Sequence, residues 1–281
     1  MVVQSCAINI HMTKSDLVIQ SLLDMNSLRD SVLKKMIESL QLPPGSQGLD
    51  IGCGIGSQCI HLSKAVGMSG RVTGLDQDPE ILHQAETIVK AAGLLGRVEL
   101  KHGDMYNLPF DKDHFDWVWS VDCAGYPAGD HQRILNEVKR VLRPGGKVFL
   151  AAWSSQQLLP GYSLLEAALN AKCSAYQPYL QGIAPENYFM RLPLGLEKMG
   201  FQDVRVRTFV KDIQSPLSSL QRKALVSLIE MLWDVSRSAL TEEEEKLFNK
   251  ICKPDSADFL PDQPAYCGFF TYTLFSARLP K

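Results

Sequence analysis

The stretch GLDIGCGIGSQ, Gly48 to Gln58, sets glycines at alternate positions, Gly52, Gly54 and Gly56, directly behind a short apolar run that carries one acid, Asp50. Glycines so placed let the backbone turn sharply and approach a ligand closely. If a helix follows, its first N–H groups suit an anion, and a carboxylate serves as well as a phosphate. In the dinucleotide fingerprint GxGxxG the third glycine would fall at position 57, where this chain has Ser57. The pattern is instead D-x-G-x-G-x-G, beginning at Asp50. Asp76 closes the next apolar run 24 positions after Gly52. An acid there accepts hydrogen bonds from both hydroxyls of a ribose, in an NAD or an adenosine cofactor.

Around the loop, strand-like and helix-like segments alternate, which implies parallel βαβ units. Leu28 to Leu40 has helical spacing and stops before Pro43-Pro44-Gly45. Strands are expected at Gly48–Ile51, Arg71–Leu75, Val98–Lys101, Phe115–Val121 and Lys147–Trp153, all short and apolar without alternation, as when helices cover both faces. Helices are expected over Ser57–Val66, after the cap Asp78-Pro79, and over His131–Leu142. The second half is less regular: a helix at Leu192–Met199, an alternating strand at Val204–Val210, helices over about 217–238 and 241–252, and a last strand at Tyr266–Ala277. Thr241 and Glu244 form a capping box, and the EEEE run reads as a solvated first turn matched to the helix dipole.

The loop HGDMYNLPF (His102 to Phe110) follows the third strand, FDWVWSVDC (Phe115 to Cys123) carries the fourth, and LRPGGKVFLAAW (Leu142 to Trp153) the fifth. Together with LDIGCGIG and TGLDQD, this ordered set resembles the class I S-adenosylmethionine-dependent methyltransferases, in the small-molecule branch related to ubiquinone and menaquinone biosynthesis enzymes. The resemblance is tight over about residues 30–153 and holds in outline beyond. It implies an α/β fold: a Rossmann-like, doubly wound, seven-stranded, mostly parallel sheet with one antiparallel strand, here Tyr266–Ala277. It further implies that Asp50, Gly52, Gly54 and Gly56 lie beneath the methionine part of S-adenosylmethionine, that Asp76 binds the ribose and that Gln77 lies beside the adenine. Asp104 would accept from the adenine amino group, the Met105 N–H would reach the ring, and the Ser120 carbonyl would lie near the cofactor's ammonium. Asp76 and Asp104 also have plain readings as loop caps or surface charges.

Methyl transfer needs the acceptor aligned with the donor and water excluded; a general base is needed only if the acceptor must lose a proton. Asp122, just beyond the fourth strand, is the candidate base, with an equally weighted structural role in the loop Cys123-Ala124-Gly125-Tyr126. His131 reads as a surface histidine at a helix start, and nothing nearby in sequence lowers the pKa of Cys123. Asp122-Cys123-Ala124-Gly125 departs from the N/D-P-P-Y/F tetrapeptide of adenine and glutamine amino-methyltransferases, which argues against that acceptor class. The expected partner is a small organic acceptor, with C-, O- and N-methylation open and thiol or metalloid methylation a minor alternative through Cys6, Cys123 and Cys173.

The 281 residues are read as a single methyltransferase domain, with 154–190 and 213–262 as helical lid insertions over the acceptor pocket. Tyr162, Tyr176, Tyr179, Tyr188, Phe189 and Trp233 would line that pocket or fill a core. The net charge of −2 argues against a nucleic-acid surface, and no apolar run is long enough to cross a bilayer. The N-terminal MVVQSCAINIHMTKSD lacks the pattern of a secretory signal, and seven cysteines without a CxxC pair fit free thiols, so a cytoplasmic enzyme without a metal is expected. Two readings compete: a non-catalytic S-adenosylmethionine-binding regulator, in which the acceptor pocket is plugged, and an NAD(P)-dependent oxidoreductase, which leaves HGDMYNLPF unexplained.

Overall fold

Apolar runs that cannot alternate must be covered on both faces, and that demand organises the molecule. A computed structural model of the chain describes residues 14–171, 173, 182–234 and 236–281. Its strands are β1 (Gln47–Ile51), β2 (Arg71–Asp76), β3 (Val98–His102), β4 (Phe115–Val121), β5 (Leu142–Gln157), β6 (Gln202–Gln214) and β7 (Cys267–Arg278). The helices are α1 (Lys14–Ser39), α2 (Ser57–Ala65), α3 (Pro79–Ala91), α4 (His131–Val141), α5 (Ser163–Asn170), α6 (Leu192–Lys198), α7 (Ser219–Trp233) and α8 (Glu242–Cys252). The sheet order is β3-β2-β1-β4-β5-β7-β6; β1 to β5 pair in parallel, and β7 runs antiparallel to both neighbours, as the resemblance implied.

Successive residues of β5 serve opposite faces. Phe149 and Ala151 join a core with α1, α2, α7 and α8, whereas Val148, Leu150 and Ala152 join one with α4 and α6. The caps form as the residues dictate: Asp78 accepts from the N–H groups of Glu80 and Ile81 with Pro79 at the first position of α3, and Thr241 and Glu244 close a capping box on α8. Two expectations about extent are revised. α1 begins at Lys14, well before Leu28, and the helix expected over about 217–238 is shorter, with α7 running from Ser219 and ending at Trp233, before a short 3₁₀ turn at Ser236–Ala239.

The strand order reverses between β1 and β4, so the carboxyl ends of β1, β2 and β4 flank a crevice, the usual position for a ligand in an open α/β sheet. β1 and β4 approach closely because Gly48 faces Trp117: a Cβ at Gly48 would overlap the indole ring, whose Nε1 donates to Ser46 Oγ at 2.9 Å. Gly48→Ala is therefore expected to destabilise the fold by about 1–3 kcal/mol through overpacking. Urea unfolding checks this, and an unchanged midpoint would mean that Trp117 shifts freely.

The cysteine Cys6 and the tyrosines Tyr176 and Tyr179 lie outside the described residues. Cys123 and Cys173 line different cavities. Trp233 is buried in the core with its Nε1 on Asn170 Oδ1, the packing role, whereas Phe189 is buried against Tyr126 and Phe275 and also lines a small cavity. Among the described residues no helix is long and apolar enough to cross a membrane.

Candidate active site

A cavity of about 230 Å³ opens at the carboxyl end of the sheet. Gly52 and Gly54 form one side, Asp76, Gln77 and Met105 a second, and Asp122 and Cys123 a third, while α1 adds Leu22 and Arg29 and α2 adds Gln58. Six of the cofactor and base candidates named from the sequence thus meet at one cavity, Gly52, Gly54, Asp76, Gln77, Met105 and Asp122, together with Cys123.

All three loop glycines have positive φ, at 71° for Gly52, 52° for Gly54 and 75° for Gly56, but they serve different ends. A Cβ at Gly52 would strike the Cys123 side chain, so this glycine brings the loop against the end of β4. At Gly54 a Cβ meets only Leu22, at 3.6 Å, and otherwise stands in the cavity. At Gly56 it meets Ala85 and Val89 at 3.3 Å, which makes the third glycine a packing device between α2 and α3.

The loop's own N–H groups are largely engaged. Gly52 and Cys53 donate to Leu75 O, Gly56 donates to Cys53 O, and Gly54 donates to Asp76 Oδ2 at 2.9 Å. The sequence reading assigned an anion to these groups; four of them already have acceptors within the chain. Asp76 is braced in return, its Oδ1 accepting from Asp78 N–H at 3.1 Å.

Asp50, Asp104 and Ser120 do not line the cavity. Asp50 is buried beneath the loop, with Oδ2 accepting from the Cys59 thiol and Oδ1 without a partner. Burial pushes its carboxyl up to about 7, against a partial offset from Cys59 and with a further push from Asp76. Asp104 is exposed and turned back onto the Tyr106 N–H at 2.9 Å, the cap geometry its residue type favours. The Ser120 hydroxyl donates to Ile51 O at 2.8 Å and accepts from Ala124 N–H, tying β4 to β1 and to the loop beyond.

Asp122 sits at a positive φ of 52° and makes more contacts than its sequence neighbours hinted. Oδ1 accepts from Trp153 N–H at 2.8 Å; Oδ2 accepts from the Tyr272 hydroxyl at 2.7 Å and faces Arg29 Nη1 at 3.3 Å. Its side chain is 21% exposed and that of Arg29 12%. Burial raises the Asp122 pKa above its ordinary value, and Arg29, Trp153 and Tyr272 only partly offset it. Burial also opposes the Arg29 cation, but Tyr272 and Asp122 outweigh it and hold the guanidinium charged.

Two side-chain readings are corrected or sharpened. His131 is 6% exposed, not a surface residue, because α4 packs it against the loop, where Nε2 lies 3.3 Å from Gly125 O; burial lowers its pKa. Cys123 is pushed up to about 12 by burial and by the charges of Asp76, Asp50 and Asp122, so it stays a thiol at neutral pH.

Arg29, Gln58, Trp153 and Tyr272 were not singled out from the sequence. Gln58 alone carried a signal, as the second residue of the helix behind the glycine loop. The other three are separated from the loop by whole elements.

Residues 49–146 match the methyltransferase domain family. The chain is 33% identical over 187 residues to a demethylmenaquinone methyltransferase of Bacillus cereus, covering 63% of this chain and 78% of the relative. A demethylmenaquinone methyltransferase of Bacillus cytotoxicus is 37% identical over 129 residues, covering 46% of this chain and 53%, or about half, of that enzyme. Among solved structures, the YcgJ protein of Bacillus subtilis superposes with a TM-score of 0.54 at 16% identity, over 90% of this chain and 99% of that one. A SAM-dependent methyltransferase of Aquifex aeolicus gives 0.50 at 22% identity, over 70% and 92%. These structures share the fold, and the sequence relatives carry the assignment: the chain belongs to the class I S-adenosylmethionine-dependent methyltransferases, resembling the enzymes of menaquinone biosynthesis.

Proposed function

We propose that the chain transfers a methyl group from S-adenosylmethionine to a small organic acceptor, leaving S-adenosylhomocysteine. The observation that carries this reading is a single open cavity running from Asp76 and Gln77 to Asp122 and Cys123. Asp76 is the group for the ribose hydroxyls, while Gln77 and Met105 flank the adenine. The fit is supported by the space that a Cβ at Gly54 would fill and by the unpartnered Asp50 Oδ1, an acceptor beneath the loop suited to a cationic ligand. Asp50, Gly56, Asp104 and Ser120 keep supporting roles: Asp50 by its charge, the other three by holding the loops.

When bound, S-adenosylmethionine supplies a methyl group already activated by its sulfonium. What remains for the chain is orientation, worth up to about 7–11 kcal/mol in favourable cases, and exclusion of water. The acceptor is assigned to the Asp122 end. There a second, small cavity is lined by Tyr126, Trp153, Tyr188, Phe189 and Leu232, next to the Trp153 N–H that binds Asp122. That cavity is about 30 Å³, room for a water-sized group, so it is the relatives named for demethylmenaquinone that favour a ring-bearing acceptor. Segments 154–190 and 213–262 supply part of this wall through Cys173, Met190 and Leu232, which supports their reading as a cover.

Asp122 is assigned as the group that holds the acceptor's proton, its raised pKa bringing it closer to working pH. Asp122→Asn is expected to lower turnover by about 10²–10⁴-fold and to leave S-adenosylhomocysteine affinity within a few-fold of wild type. Retained turnover would remove the catalytic role and leave Asp122 as the partner of Arg29. The reading as a whole is tested by calorimetric titration with S-adenosylmethionine, S-adenosylhomocysteine and NADH. Heat from the two sulfur ligands alone supports it, and heat from NADH alone overturns it.

A further inference from the structure

We propose that Arg29 and Gln58 form a carboxylate clamp, and that these two side chains, not the glycine loop's N–H groups, read the amino-acid end of the cofactor. The inference rests on the reading of the cavity as an S-adenosylmethionine site.

An anion over the loop needs donors, and the N–H groups of Gly52, Cys53, Gly54 and Gly56 already have acceptors. The cavity wall offers others. Gln58 is 4% exposed, lines the cavity at the N-terminal turn of α2, and its Nε2 has no partner. Arg29 lines the same cavity from α1, and its Nε is likewise buried without a partner. Buried donors left unpaired are costly, so unpaired donors on two separate elements that line one cavity mark an absent acceptor. Beneath the loop lies one unpaired acceptor, Asp50 Oδ1. Two donors and one acceptor complement the carboxylate and ammonium of an α-amino acid.

The Arg29 guanidinium is not exhausted by Asp122. Only Nη1 faces that carboxylate, at 3.3 Å, and Asp122 also receives the Trp153 N–H and the Tyr272 hydroxyl. Asp122 and the Tyr272 hydroxyl together hold one end of the Arg29 fork, and its unpaired Nε is left for a second carboxylate, which a planar guanidinium accommodates and an ammonium does not. Arg29 also lies outside the 49–146 match, so the clamp joins an element beyond that domain to the loop within it.

The test compares two ligands that share the nucleoside and thioether and differ in the amino-acid part: S-adenosylhomocysteine and 5′-methylthioadenosine. Calorimetric affinities are measured for the full chain as wild type, Arg29→Gln, Arg29→Lys and Gln58→Leu. Arg29→Gln is expected to weaken S-adenosylhomocysteine by about 10–100-fold, the range of a hydrogen bond to a charged group, while 5′-methylthioadenosine stays within about twofold. Arg29→Lys should recover only part of the loss. Gln58→Leu keeps the inference testable if Arg29 variants fail to fold, because Gln58 Nε2 has no bond in the fold to lose; it should weaken S-adenosylhomocysteine alone, several-fold. Equal losses for both ligands, or no loss for S-adenosylhomocysteine, would overturn the clamp and leave the cofactor reading standing. Failure of the wild type to bind either ligand would overturn both.

Discussion

Asp76→Ala is expected to weaken S-adenosylhomocysteine binding by at least about 100-fold, as the loss of two hydrogen bonds to a charged group implies. The effect is large because one carboxylate has two tasks. It faces the cavity where the ribose hydroxyls are assigned, and its Oδ2 holds the Gly54 N–H at 2.9 Å while Oδ1 holds the Asp78 N–H at 3.1 Å. Removing it frees Gly54 at the point where the loop borders the cavity, so binding suffers twice, through a lost partner and a loosened wall. Asp76→Asn does not rescue the site, since an amide offers one acceptor oxygen where two N–H donors converge. Calorimetry on both variants checks this, with thermal unfolding to confirm that they fold. Near-normal affinity in Asp76→Ala would show that the adenosine end is held elsewhere, and the cavity would need a different ligand.

Asp50→Asn should give the largest change in stability, and its sign depends on pH. The Asp50 carboxyl lies at about 7 in the fold against an ordinary 3.8, so between those values the folded chain keeps a proton that the unfolded chain has lost. Raising pH through that window therefore favours unfolding, and above it the buried anion costs the fold on the order of 4 kcal/mol. The asparagine carries no such penalty. Its midpoint in urea should exceed that of wild type at pH 8, and the gap should close towards pH 4. Parallel pH profiles would mean that Asp50 titrates like an exposed acid. The anion suits a cationic ligand, so S-adenosylmethionine should stabilise wild type more than the variant.

Much of the sheet could be read in advance because its runs have no alternative. Four apolar segments, each bounded by turn residues and covered on both faces, fit only buried parallel strands, while the edge strand β3, with Glu99 and His102 exposed, was legible from its place between a helix and the HGDMYNLPF loop. The loop glycines and Asp76 were legible for the same reason, since positive φ and a strand-end acid leave local marks. Asp104 shows the limit of a motif: the residue is present, but its carboxylate turns onto Tyr106 and stands outside the cavity. Arg29 was hidden because its role depends on the phase of α1, whose first half mixes polar and apolar residues. Tyr272 and Trp153 were hidden because the register of β7 against β5, pairing these two residues, sets them beside Asp122. His131 misled because a helix start is usually exposed, and only the packing of α4 onto the loop at Gly125 buries it.

The position of β7 has a consequence in time. It is the seventh strand to leave the ribosome, yet it belongs between β5 and β6, and β6 pairs with no other described strand. Until β7 is synthesised, β6 has nothing to pair with, and Asp122 lacks the Tyr272 hydroxyl that β7 carries. A nascent chain can complete the loop, Asp76 and β4 early, so the nucleoside half of the cavity exists before the half assigned to the acceptor. The last insertion into the sheet thus completes the sheet and the contacts of Asp122 together.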